Sequence, residues 1–122
     1  MVKKNCVYKN RTGKTGELKA AQFLTESGYK IIKTNYKFEK SEIDIICLND
    51  NNLIFVEVKT RRNKKFGEPE ESITPSKIKN IQKTAEGFIL NHPEYEDYDL
   101  RFDVVTLMID NTIEINHIEN AF

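Results

Sequence analysis

Ser41-Glu42-Ile43-Asp44-Ile45-Ile46 and Phe55-Val56-Glu57-Val58-Lys59 are the stretches on which the reading of this chain turns. Both are short, rich in β-branched residues and alternating, which marks strands. Asn49-Asp50-Asn51-Asn52 lies between them as a turn, so Glu42 to Leu48 and Leu53 to Thr60 are read as a hairpin. Side chains of a strand alternate between faces. Glu42 and Asp44 therefore share one face of their strand, and Glu57 and Lys59 one face of theirs. Ile43, Ile45, Val56 and Val58 interleave with them and are assigned to a core on the opposite face. Two acids and a lysine are thus expected near the middle of a domain, where charge is costly unless paired or bound to metal.

That combination suits one chemistry. Cleaving a phosphodiester requires neutralising the phosphate, generating a hydroxide and stabilising the leaving oxygen. Mg²⁺ takes a few carboxylates and keeps several waters. Asp44 and Glu57, from neighbouring strands, could hold such an ion, with the Val58 carbonyl as a further ligand. Lys59, one step along the same face, could orient the attacking water or stabilise charge on the phosphate. The bland alternative is a buried ion network made of the same three side chains.

Upstream of the hairpin, Tyr29 to Phe38 reads as a strand. Before it a helix is expected from about Gly13 to Ser27, with Glu17, Ala20, Ala21 and Leu24 on one stripe and Gly28 as its stop. Glu17 should point inward. The helix dipole alone favours a carboxylate in a first turn, and Glu17 could also reach the metal cluster. Residues 1–12 are polar and basic and are read as an arm preceding one domain over 13–122.

Downstream, 61–73 reads as a charged loop. Thr74 as N-cap and Pro75 at the first helical position open a second helix, with Ile78, Ile81, Ala85 and Phe88 as its stripe and an end near Asn91, before Pro93. An acidic loop from Glu94 to Asp99 follows, then strands Phe102 to Ile109 and Thr112 to Ile118. The order α-β-β-β-α-β-β predicts an α/β domain with a mixed central sheet flanked by helices. The helix between the third and fourth strands implies a parallel crossover.

With 122 residues the chain has room for one cored domain and not two. Its longest apolar runs, such as Leu53 to Val56, are strand-sized, so no membrane span is expected. Met1 to Cys6 has no apolar segment behind its charge and is not read as a secretory signal. Cys6 and Cys47 lack metal-ligand spacing and fit a reduced cytoplasm. Net charge is zero, yet residues through Lys65 carry 15 Lys and Arg against 7 Asp and Glu, while the remainder carries 4 against 12. Such asymmetry suggests one face for a polyanion, unless the halves interleave and cancel locally.

Lys59, Arg61, Arg62, Lys64 and Lys65 follow the acids closely and are candidate contacts to a nucleic-acid backbone, with a solvated loop as the alternative. Lys77, at the start of the second helix, could join these contacts, with a surface lysine as the favoured reading. His92 and His117 lack a second ligand at metal spacing and read as helix-end or surface residues. Arg101 and Asp103 read as a structural ion pair or edge residues. Tyr29, Tyr36, Phe55 and Phe102 read as core. Gly13-Lys14-Thr15 lacks the glycines and strand of a phosphate-binding loop.

Asp44 followed by Glu57-Val58-Lys59 resembles the signature of the PD-(D/E)xK nuclease superfamily, whose restriction endonuclease-like core is αβββαβ. The chain is still more similar to the YraN family of uncharacterised bacterial nuclease-like proteins. The similarity rests on Gly16-Glu17, Ala21, Phe23-Leu24, Gly28-Tyr29, Asn35-Tyr36, Glu42-Ile43-Asp44, Phe55 to Lys59, Arg61, Arg101 to Val105 and Asn120-Ala121-Phe122. Ser41 stands where that family commonly has glycine, and no proline precedes Asp44; neither removes a ligand. The resemblance implies Glu17, Asp44, Glu57 and Lys59 as the site, with Asp44, Glu57 and Glu17 binding Mg²⁺ or Mn²⁺. It implies an endonuclease acting on DNA, branched or repair-intermediate DNA included, and a homodimer. The alternatives are a non-catalytic nucleic-acid-binding module and a protein-interaction adaptor using the acidic loop.

Overall fold

The computed structural model describes residues 8–61 and 74–122, with side chains from Thr15 onward. Helix α1, Tyr8–Glu26, stops where Gly28 dictates. Gly28 has a left-handed φ of 96°. The Tyr29 amide returns to the Leu24 carbonyl at 2.9 Å and the Gly28 amide to Thr25 at 3.1 Å. These two bonds define a Schellman cap, and Leu24 and Tyr29 pack in one cluster beneath it. The helix begins five residues before the expected Gly13. Its first turns, Tyr8 to Thr12, carry no apolar stripe from which a start could be read.

Three antiparallel strands follow: β1 Lys30–Phe38, β2 Ser41–Asn49 and β3 Asn52–Arg61. The predicted hairpin is present, with Asn49 opposite Asn52 and Asp50 at a left-handed φ of 55° in the turn. Helix α2, Pro75–Asn91, is capped as expected: the Thr74 hydroxyl accepts the Lys77 amide at 3.1 Å and Pro75 opens the first turn. A 3₁₀ turn, Pro93–Tyr95, leads to β4, Asp99–Ile109, and then β5, Ile113–Ile118. The sheet order is β1-β2-β3-β4-β5, with β3 and β4 parallel and every other pair antiparallel. This is the mixed α/β architecture, crossover included, that the element order predicted.

The two helices cover opposite faces of the sheet. Ala20 and Leu24 of α1 pack on Ile45, Cys47, Ile54, Val56, Val105 and Leu107. Ile81, Ala85 and Phe88 of α2 pack on Ile43, Ile46, Leu53 and Phe55. Both faces are therefore core, as a strand flanked by crossover helices requires. The single core face read from sequence needs one correction. Ile45, Val56 and Val58 do share the α1 side, but Ile43 joins the α2 side. The β1–β2 register shifts once, between Ile31 and Lys33, and is then constant to Phe38, although Asn35 and Asp44 do not pair. Asn35 there is left-handed, at φ 52°, and such a residue kinks a strand.

Gly87 lets α2 sit close to the end of β1. A Cβ there would lie 2.6 Å from two atoms of the Phe38 ring. Gly87→Ala should therefore cost about 1–2 kcal/mol, since overpacking outweighs the gain in helix propensity. Urea denaturation measures this, and a midpoint at or above wild type would mean that the ring swings clear.

Candidate functional site

Position along the sheet brings the predicted strand residues together. The β2–β3 ladder runs inward from the turn and ends at Ile45 opposite Val56. One residue further, the strands no longer exchange backbone bonds. The Val58 amide is taken instead by the Asp44 carboxylate, at 2.8 Å. That wedge opens into a recess of about 360 Å³ on the α2 side, lined by Glu42, Asp44, Glu57, Ser76, Lys77 and Asn80 among others.

Glu57 sits at its floor and is only 6% exposed. Two ammonium groups face the same oxygen: Lys77 Nζ at 2.7 Å and Lys59 Nζ at 3.5 Å from Glu57 Oε2. Among the described residues, no cation forms an ion pair with Asp44, and Lys77 acts on it only at longer range. Burial first, and the charge of Glu57 second, push the Asp44 pKa up to about 7, against the lowering effect of the Val58 amide. Glu17 and Glu42 add to the same repulsion. Burial, and then Lys77, hold Lys59 below the ordinary lysine range. Burial also opposes the charge of Lys77, but its bond to Glu57 outweighs this and raises the pKa.

Glu17 is half-buried on the α1 stripe and enters through a bridge. The Asn35 amide donates to Glu17 Oε1 at 3.1 Å and to Glu42 Oε2 at 3.0 Å. Asp44, Glu57 and Lys59 therefore share one site, and Glu17 joins from the other helix through Asn35. Among the described residues, no three acidic, histidine or cysteine side chains stand ready-made as a metal cluster. The donor set nonetheless suits a hard cation: buried Glu57 and partly buried Asp44, the latter driven towards protonation by desolvation and by the charge of Glu57. Asp44 and Glu57 are the residues that would hold Mg²⁺ or Mn²⁺.

Of the basic run, Lys59 lines the site and Arg61 ends β3, whereas Arg62, Lys64 and Lys65 lie outside the described residues. Two site residues differ from or escaped the sequence reading. Lys77 is no ordinary surface lysine. Because β3 and β4 are parallel, α2 runs back along them, so its first turn stands level with the end of β3 that carries Glu57. Its signal was the N-cap at Thr74, which fixes where the helix starts. Asn35 was read only as a strand residue and as part of the family similarity, with no role at the site.

A second polar cluster lies across the sheet. Asp103, on β4, is fully buried. It accepts from Arg101 Nε at 3.0 Å, Arg101 Nη2 at 2.9 Å and the Asn120 amide at 3.0 Å, and His117 Nε2 lies 2.7 Å away. Burial opposes its charge, yet these bonds hold its pKa below the usual carboxylate range. The Arg101–Asp103 pair is thus structural, as read. His117 is not the surface residue expected, since Asp103 draws it inward. His92 is at a helix end, stacked on Phe88 with ring centroids 4.1 Å apart.

The pattern of the uncharacterised protein family UPF0102 matches residues 16–107. A UPF0102 protein of Syntrophomonas wolfei is 45% identical over 111 residues, 90% of this chain and 96% of the relative. One from Caldicellulosiruptor bescii is 45% identical over 115 residues, 92% and 97% of the two chains. One from Natranaerobius thermophilus is 42% identical over 113 residues, 90% and 95%. The chain belongs to the UPF0102, or YraN, family.

Two stability predictions follow from the contrasting acids. The Asp44 pKa is raised from 3.8 to about 7. Between those values the folded chain keeps a proton that the unfolded chain has released, so this group makes stability fall as pH rises. Asp44→Asn keeps an oxygen for the Val58 amide. It should be more stable than wild type by on the order of 4 kcal/mol above about pH 7, and equal to it near about pH 4. Urea midpoints across that range check this, and a difference independent of pH would refute it. Asp103→Asn, by contrast, strips Arg101 of its counter-charge and should cost about 3 kcal/mol or more at neutral pH. A loss under about 1 kcal/mol in the same assay would remove Asp103 as the anchor of its cluster.

Proposed function

We propose that this protein is a divalent-metal-dependent endonuclease that hydrolyses phosphodiester bonds in DNA, branched and repair-intermediate DNA included. Its αβββαβ portion is read as a restriction endonuclease-like core. One observation carries the proposal: Asp44 and Glu57 line a single recess where the β2–β3 ladder opens, and Lys59 stands 3.5 Å from Glu57 beside it. A module that only bound nucleic acid would gain nothing from carboxylates facing a phosphate, because their charge repels the ligand. Buried acids beside a lysine fit a site that must handle a cation and an anion together.

Each residue has a role. Asp44 and Glu57 hold Mg²⁺ or Mn²⁺, which when bound supplies charge neutralisation and an acidified water. Lys59 orients the attacking water or meets charge on the phosphate. Burial, which lowers its pKa, brings it nearer to exchanging a proton at working pH. Glu17, held by Asn35, assists through the metal or through water. Arg61, with Arg62, Lys64 and Lys65, supplies backbone contacts that position DNA without reading its sequence.

Labelled single-stranded, duplex, flapped and four-way DNA, together with RNA, tests the reading with Mg²⁺ or Mn²⁺ present. Wild type should cut at least one DNA form. Asp44→Ala and Lys59→Ala should each lose a hundredfold or more, on the order expected for removing an essential charged group. Chelator should abolish cleavage. A folded wild type that binds the panel and cuts nothing would replace this reading with the non-catalytic binding module.

A further inference from the structure

The recess holds a cation of its own. Lys77 Nζ stands 2.7 Å from Glu57 Oε2, closer than Lys59 at 3.5 Å. An ammonium at that distance occupies the carboxylate oxygen that a divalent ion would use. The two lysines are not equally free to leave. Lys59 rises from the sheet and is 18% exposed, whereas Lys77 reaches in from the first turn of α2 and is 40% exposed. The Lys77 backbone is fixed by the Thr74 cap, so only the flexible stem has to move. A lysine stem with solvent access turns through its rotamers at little cost. Ser76 and Asn80, on the same end of α2, line the recess beside it. An ammonium displaced from Glu57 therefore remains at the mouth through which a phosphate must enter.

We infer that Lys77 is an exchangeable counter-ion: it neutralises Glu57 while no divalent cation is bound, and it turns to the substrate phosphate once one is. The inference rests on the proposal that Asp44 and Glu57 take a divalent cation, and it adds the control of that site. The two partners of Lys77 are linked. Mn²⁺ on the acids frees the lysine for phosphate, and phosphate holding the lysine frees Glu57 for Mn²⁺. It also fits the lack of a ready-made three-ligand cluster among the described residues, because the site is closed on its own lysine.

Mn²⁺ titration by calorimetry or by loss of its free-ion resonance tests this on wild type, Lys77→Met and Lys77→Gln. Lys77→Gln keeps a donor for buried Glu57, so it decides the matter if Lys77→Met fails to fold. Both variants should bind Mn²⁺ roughly tenfold more tightly than wild type, because a competing charge has gone. With Ca²⁺ replacing Mn²⁺ to suppress turnover, both should bind a short DNA duplex about threefold more weakly. In wild type, Mg²⁺ should shift the Lys77 ammonium resonance in lysine side-chain NMR. A lysine that serves only the fold would lower the melting temperature on substitution and leave Mn²⁺ affinity unchanged or weakened. That result, alongside DNA cleavage by wild type, would overturn this inference and spare the nuclease. Tighter Mn²⁺ binding with no cleavage by wild type would do the reverse, and no Mn²⁺ binding by wild type or variants would remove both.

Discussion

One buried carboxylate sets the electrostatic demand that its neighbours on the sheet and on α2 must meet. Glu57 lies on β3, the central strand, which pairs with β2 on one side and β4 on the other and is covered by helices on both faces. Leu53 to Val56 must be buried for the two cores to form, and the strand carries Glu57 into the same environment, at 6% exposure. A desolvated carboxylate there demands positive charge. Lys59 supplies it from the same strand and Lys77 from the start of α2, so the ion pair ties the crossover helix to the sheet at the end where the strands open. An apolar residue of like volume would satisfy this packing at no electrostatic cost. The arrangement makes sense as a site more readily than as a source of stability.

The wedge beside Glu57 has a local cause. Past Ile45 and Val56 the antiparallel ladder stops, and the Asp44 side chain substitutes for a backbone acceptor at the Val58 amide. On the other side of β2, left-handed Asn35 breaks the pairing opposite Asp44 and turns its amide to Glu17 and Glu42. The backbone irregularity and the carboxylate cluster are therefore one feature. On either side of Asp44, Ile43 belongs to the α2 core and Ile45 to the α1 core.

Local signals made most of the fold legible in sequence. Gly28, the Asn-rich turn and the Thr74-Pro75 start each act through neighbours a few residues away, and each occurs where it was read. Period-two alternation likewise sufficed to place Asp44, Glu57 and Lys59 together. What escaped depends on contacts between distant segments. Lys77 meets Glu57 across 20 positions, Asn35 meets Glu17 across 18, and His117 is drawn inward by Asp103 across a β4–β5 pairing. No window of sequence contains such information. The start of α1 was missed for a different reason, since a helix turn without an apolar stripe gives periodicity nothing to detect.

The sheet offers its own control for judging Asp44. Asp44 and Asp103 are both acids on inner strands, and burial pushes both towards the neutral form. Asp103 receives Arg101, His117 and the Asn120 amide, and its pKa falls despite burial. Asp44 receives one amide and faces another carboxylate, and its pKa rises to about 7. Among the described residues, Asp103 has its charge partners in place, whereas Asp44 has no ion-pair partner and lines a recess. Burial opposes the charge of both, and the partners around Asp103 reverse its effect there. An acid kept short of charge beside an opening is the arrangement expected where the missing charge arrives with a ligand.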